Sequence, residues 1–353
     1  MKEKWYVLVI ALMITVFVFA GNIALAVQKP KTVAELALYK GADRQQMLEE
    51  GAKKEGKINF YTTGVMAGSL GAFLDLYKKK YPYVKLGKWR AGSRELTSRI
   101  LEEYQSGKHS ADVVEATQVA HMTLKEQGIL QPFYSPYFAH IDEGGITKAP
   151  GGSAFSAAFR FNPISLAYNT NLLSKEEAPK TYQDLLDPKW KGKLVLPGGN
   201  VPVSWVGTIL KTYGIEFVKK VAQQNFIMHT MSARALLDLI IAGEYVCSPS
   251  IFESHVIKSR KMGAPVDWVP LEPVHVNISL VALPKYSSHP HAAMLLIDLK
   301  FSKEVAEIQK ANGYIPTRTD FPVERTYKKF FGAESMVEGL RWQKMYNSLF
   351  LRR

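Results

Sequence analysis

Cysteine is almost missing from this chain: Cys247 is the only one in 353 residues. One thiol cannot close an intramolecular disulfide, so the chain is not a disulfide scaffold, and no C-x-x-C redox or zinc motif is possible. There is no H-E-x-x-H motif, no G-x-G-x-x-G dinucleotide loop and no G-x-x-x-x-G-K phosphate loop. Internal repeats and low-complexity tracts are also absent. Acidic residues are short relative to basic ones, 32 against 45, for a formal charge of +13. Such a balance can serve nucleic acid, a membrane surface or an anionic ligand, or simply solubility. The basic residues are scattered apart from short runs such as "YKKKY", whose lysines end a predicted helix and suit its dipole. No nucleic-acid partner is therefore expected.

Long apolar runs are missing except at the start. Lys2 and Lys4 precede an apolar stretch from Trp5 to Ala20, and Ala24-Leu25-Ala26 follows. That order reads as a secretory leader, residues 1–26, cut after Ala26. An uncleaved anchor is the alternative; the small residues and "VQKP" favour the leader. Removing two lysines and one glutamate leaves a charge of +12 on an exported, periplasmic chain that starts at Val27. Its length favours about two domains, and 47% apolar composition is ample for ordinary cores.

Residues 33–56 read as an amphipathic helix, a 27–56 extension packed outside the main core. From Lys57 strands and helices alternate: "INFYTT", "SLGAFLDLYKKKY", "VKLGKWRA", "RELTSRILEEYQSG", "ADVVEA", "VAHMTLKEQG". Such alternation implies a parallel sheet with helical crossovers. A Pro/Gly/aromatic stretch between 131 and 155 marks a boundary, and "FRFNPISLAYNTNLL" reads as a long strand. A second alternation follows, with Thr181 and Asp184 as a capping-box-like start. A further long strand lies in "VDWVPLEPVHVNISLVALP". The expectation is two α/β lobes with two crossings, 57–157 with 271–320 and 158–270 with 321–353, and a ligand cleft between them.

"CSPSIFESH", 247–255, gathers nucleophile, acid and base types. If extended, it spans about 26 Å from Cys247 to His255, far beyond hydrogen-bond reach. Glu253 and His255 would share one face of that strand, with no nucleophile beside them. "HPH" (His289, His291) is metal-capable but opens a predicted helix, so a surface position is expected.

"PKTYQDLLDPKWKGKLVLPGG", preceded by "LAYNTNLL" and followed by "GEY", "KMGAPVDWVP", "VNISLVALPKYSSHPHAAMLLIDLKFSKE" and "NGYIPTRTD", resembles the bacterial extracellular solute-binding proteins of ABC importers. Within them the chain is similar to the ferric-iron-binding branch. The matches run in order from Lys57 to about Asp320. The resemblance implies a type II periplasmic binding fold: two α/β lobes joined by crossover strands. It also implies adjacent tyrosine ligands for iron between "GEY" and "GAPVDW". Here that place holds Ile251, Phe252 and Glu253. The branch's histidine after the first strand is missing too, and Glu95 stands where its carboxylate would. One or two carboxylates are a poor set for ferric iron.

Helix N-termini facing a cleft offer free N–H groups to anions. The strand-to-helix turns suited to this supply Thr62, Thr63, Gly64 and Ser69; Ser93 and Arg94; Thr117 and Gln118. In the second lobe the candidates are Gly199, Asn200 and Ser204, with Ser250 and Glu253 on the cleft strand. Ser69, Ser93 and Thr117 are equally at home as N-caps. Arg94 would grip a carboxylate or phosphate with two parallel bonds. The reading is a monomeric binding protein, with no catalytic residues, metal or cofactor. It takes a small organic anion, such as a carboxylate, phosphonate or sugar phosphate, to an inner-membrane ABC permease. Alternatives are ferric capture through Glu95, Glu253 and a distant tyrosine, an exported hydrolase using Glu253 and His255, and a sensor subunit docking on a membrane receptor.

Overall fold

The computed structural model describes residues 29–64, 66–323, 327–333 and 335–351. The expected leader and its cut after Ala26 lie outside the described residues. No helix among the described residues is long and apolar enough to cross a membrane.

The N-terminal segment corrects the first expectation. It forms two helices, α1 (Val33–Leu38) and α2 (Arg44–Glu55). Thr32 opens α1 with a capping box: its hydroxyl accepts from Glu35 N–H, and the Glu35 carboxylate accepts from Thr32 N–H. Leu36, Ala37, Leu48 and Ala52 are buried in the same core as the sheet that follows. Arg44 forms a buried ion pair with Asp298, which also accepts from the Ser135 hydroxyl at 2.7 Å. The segment is thus part of the first lobe, not an appendage. Amphipathicity shows that one face is covered, but not by what.

Next come β1 (Lys57–Thr62), α3 (Gly71–Lys80), β2 (Lys85–Arg90), α4 (Ser93–Gln105), β3 (Val113–Thr117), α5 (Gln118–Glu126), β4 (Leu130–Gln131), β5 (Ile146–Ala149) and the 17-residue β6 (Ser153–Asn169). β1 pairs in parallel with β2 and with β3, as the alternation predicts. The second half contains β7 (Val195–Leu196), α6 (Val201–Ala222), β8 (Ile227–Met228), α7 (Ala233–Ala242), β9 (Cys247–Phe252), α8 (Glu253–Lys261) and β10 (Val266–Val269). β11 (Val274–Pro284), α9 (Pro290–Lys300), α10 (Lys303–Ala311) and β12 (Ile315–Pro316) return to the first half. β13 (Lys329–Phe330) and α11 (Met336–Phe350) close the described chain.

β6 and β11 are antiparallel partners over Ala157–Ile164 and His275–Val281, and they carry the chain between the two halves. Along β6 the partners change: β11 continues into β3 and β1, whereas past Ile164 the strand pairs with β9 and β10. The apolar residues follow that division. Phe60, Phe73 and Val113 share a core with α9, while Tyr182, Trp205, Val206 and Cys247 share another. Thr181 and Asp184 make the expected reciprocal bonds, but onto one turn of 3-10 helix, Gln183–Leu186. His289 and His291 each pair with a carboxylate: His289, mostly buried, with Asp112 at 2.8 Å, and His291, 30% exposed, with Glu55 at 2.7 Å.

The C-terminal segment adds a further link. Lys329 pairs with Asp142 in the first half at 2.9 Å while β13 lies along β11. α11 then packs on α6, with the Trp342 ring seated over Gly207, and Thr123 on α5 meets Met336 at its N-terminal end. A Cβ on Gly207 would stand 2.0 Å from that ring. Gly207→Ala should therefore lift α11 and cost about 1–3 kcal/mol, as overpacking does. Urea unfolding measures this, and an unchanged midpoint would mean that α11 is not seated there.

Candidate functional site

The strands β1 and β3 end side by side beneath the crossover. Thr62 is fully buried, and its hydroxyl accepts from Gly64 N–H at 2.8 Å, so it closes its own turn. Thr63 N–H donates to the Glu115 carbonyl at 3.0 Å. Gly64 is buried, and a Cβ there would come 2.9 Å from Glu115 Oε1; its carbonyl accepts from Arg90 Nε at 3.0 Å. Ser93 and Thr117, at the ends of α4 and β3, share a hydroxyl–hydroxyl bond of 2.7 Å. Gln118 begins α5, and its Oε1 approaches Gly332.

Ser69 and Ser93 are not N-caps. Ser69 lies inside a π-turn, Met66–Leu70, and Gly92 caps α4 ahead of Ser93. Thr117 does occupy the N-cap of α5, without a side-chain cap bond. Instead, Ser69 reaches the residue that organises this edge, Arg160. The Arg160 guanidinium donates to the Ser279 hydroxyl at 3.0 Å and to the Ser69 hydroxyl at 3.3 Å, and stacks on the Tyr314 ring at 4.3 Å. It is half-buried, and no carboxylate pairs with it among the described residues. Nearby, Lys300 and Glu115 form a buried pair at 2.7 Å, with the ammonium 3.6 Å from the Phe73 ring centroid. Burial pulls the Lys300 pKa down from its ordinary value, against the attraction of Glu115. The pair cancels its own charge, so Arg160 leaves this edge with an uncancelled positive charge. A half-buried guanidinium held by hydroxyls and a ring is set to take an anion.

Arg160 was not legible as a site residue, because it sits inside a strand-like apolar run. The available signal was that charge itself, in "SAAFRFNPI". Arg94, which the sequence suggests, is exposed on α4 with no ion pair or hydrogen bond among the described residues. Glu95 beside it is exposed as well.

On the other side, β9 stops at Phe252 and α8 begins at Glu253, so the extended reading of 247–255 fails after six residues. Glu253 and His255 are two apart on a helix and do not share a face. Glu253 is buried, and the Tyr327 hydroxyl donates to its carboxylate at 3.2 Å. Burial pushes the Cys247 thiol up to about 12 and holds His255 down at about 4, so near neutrality the thiol is protonated and the imidazole is neutral and only weakly basic. Ser250 is fully buried, with a hydroxyl that has no partner among the described residues. Gly199 adopts φ 80° and Asn200 caps α6 without a side-chain bond; both are exposed, and Ser204 is half-buried. Among the described residues no hydrogen bond or ion pair brings those three to the Arg160 group.

The family model for bacterial extracellular solute-binding proteins matches residues 108–345, about two thirds of the chain. Iron uptake protein A1 of Synechocystis is 25% identical over 257 residues, 67% of this chain and 69% of that one. An uncharacterized Haemophilus influenzae protein is 23% identical over 199 residues, and the chain spans only 57% of its length. Among solved structures, iron-bound HitA from Pseudomonas aeruginosa superposes with a TM-score of 0.70 at 17% identity, covering 83% of this chain and 99% of that one. AfuA from Actinobacillus pleuropneumoniae, with fructose-6-phosphate bound, gives 0.67 at 20% identity over 84% and 99%. The architecture is that of the type II periplasmic binding proteins, and by the extent of the family match the chain belongs to the bacterial extracellular solute-binding proteins.

Proposed function

We propose that this chain captures a small organic anion, a carboxylate, phosphonate or sugar phosphate, between its two lobes and delivers it to an inner-membrane ABC permease. It works in the periplasm as a monomer and performs no chemistry on its cargo. The lobes are 57–157 with 271–320, joined by the N-terminal helices, and 158–270 with 321–353. They close by a hinge motion at β6 and β11. The observation that carries the reading is Arg160, a half-buried guanidinium bonded to two serines and a tyrosine ring and without a carboxylate. The fructose-6-phosphate bound to AfuA, a structure of similar fold, is in keeping with it.

A second reading, ferric capture, draws on Tyr327, whose phenol lies against the Glu253 carboxylate, and on the iron-bound neighbour. A thermal-shift screen separates the two. Ferric ion, with and without citrate, is compared with small carboxylates, phosphonates and sugar phosphates. A ligand at about 100 times its dissociation constant adds roughly 2.7 kcal/mol of stability. Stabilisation by an organic anion alone is expected; stabilisation only when ferric ion is present would overturn the anion reading.

A further inference from the structure

We infer that the second lobe reads hydroxyl groups of the cargo, so that the cargo is a polyhydroxylated anion. This rests on the anion reading above. Two buried hydroxyls at the end of β9 and the start of α8, Ser250 and Ser254, have no hydrogen-bond partner among the described residues. They are 0% and 3% exposed. A buried hydroxyl left unmade costs free energy, and each one both donates and accepts, so its natural complement is another hydroxyl. α8 runs nine residues, and its N-cap, Phe252, supplies no side-chain bond to the first turn.

The two halves of the site are physically joined. Gly313 packs on the first turn of α8, where a Cβ would come 3.2 Å from Ser254 Cα, and the next residue is Tyr314, whose ring lies on Arg160. The register of β6 sets the scale. Arg160 lies opposite Ser279 and Ile164 opposite Phe252, four residues or about 13 Å apart. Inorganic phosphate is too small to touch both ends, whereas a hydroxylated chain of several carbons with a terminal anion is long enough.

The experiment is isothermal titration of the mature protein with two matched pairs, sorbitol 6-phosphate against hexyl phosphate and gluconate against hexanoate. Within each pair the anion is the same and only the hydroxyls differ. The expected result is at least about tenfold tighter binding of the hydroxylated member of one pair. In Ser250→Ala/Ser254→Ala that preference falls by roughly tenfold, the worth of two ordinary hydrogen bonds, while the alkyl member binds as before. Equal affinities within both pairs, no binding of either, or a preference untouched by the double substitution would overturn the inference. Arg160→Met distinguishes its failure from that of the parent reading. Loss of all four compounds there with no hydroxyl preference in the wild type leaves the anion site standing and removes only the hydroxyl subsite. An unchanged preference in Arg160→Met removes the anion anchor alone.

Discussion

Replacing Arg160 with methionine should weaken binding of the anionic cargo by 30-fold to several thousand-fold, with the fold intact. The range follows from the 2–5 kcal/mol typical of losing one partner of a desolvated, hydrogen-bonded charge pair. Methionine keeps most of the aliphatic stem but not the guanidinium stacked on Tyr314, so the loss reports charge, hydrogen bonds and that ring contact. Ser69 and Ser279 would lose their donor, a smaller penalty borne equally by the free and bound states. Arg94→Met is the matched control: it removes an exposed guanidinium without partners and should change affinity less than twofold. Titration calorimetry of the two variants decides the matter. The reverse order of effects would return the site to the first turn of α4.

The second large effect is on acid stability. His121 on α5 and His275 on β11 are 2% and 4% exposed, and burial holds their pKa values at about 3 and about 4. His275 shares a hydrogen bond with the Thr208 hydroxyl at 3.0 Å. Both rings are neutral in the folded chain at the pH where the unfolded chain takes up protons near 6.5. Unfolding therefore binds protons in that window, and stability present above pH 6.5 is lost as pH falls toward 4. Each group contributes about 1.4 kcal/mol per pH unit there, so the pair removes roughly 5 kcal/mol between pH 6.5 and 4.5. Urea midpoints across that range test it, and His121→Leu should flatten the slope by about half of the pair's share. A flat profile in the parent chain would mean that these rings are protonated, and solvated, in the folded state.

The division of the chain into alternating strands and helices was readable because each element carries its own period. So was the presence of two long strands, since β6 and β11 are mostly apolar over many residues, although their pairing with each other was not. What sequence could not supply was the environment of individual groups. The capping motif at Thr181 formed as written, but its helix is a single 3-10 turn because Pro188 follows so soon. The strand expected through His255 ended at Phe252: "ESHVIKSRK" carries a helical pattern that the chemistry of its residue types obscured. Arg160 and Arg94 make the same point about the site. Hydrophobic neighbours hid the half-buried cation, and a helix-terminal position recommended the exposed one. Burial is a property of the whole fold, so a lone charge inside an apolar strand is a better lead than a charge at a promising turn.

The C-terminal segment bears on how the molecule can move. β6 and β11 are adjacent hydrogen-bonded strands, and alone they form a narrow ribbon that twists as easily as it bends. Lys329 on Asp142, with Met336 against Thr123 and Trp342 over Gly207, adds a fastening beyond that ribbon. A door hung at one point swings in any direction, but one hung at two separated points keeps a single axis. If the lobes close as proposed, they are accordingly confined to opening and shutting along one line, and Arg160 and the start of α8 would approach in the same register each time.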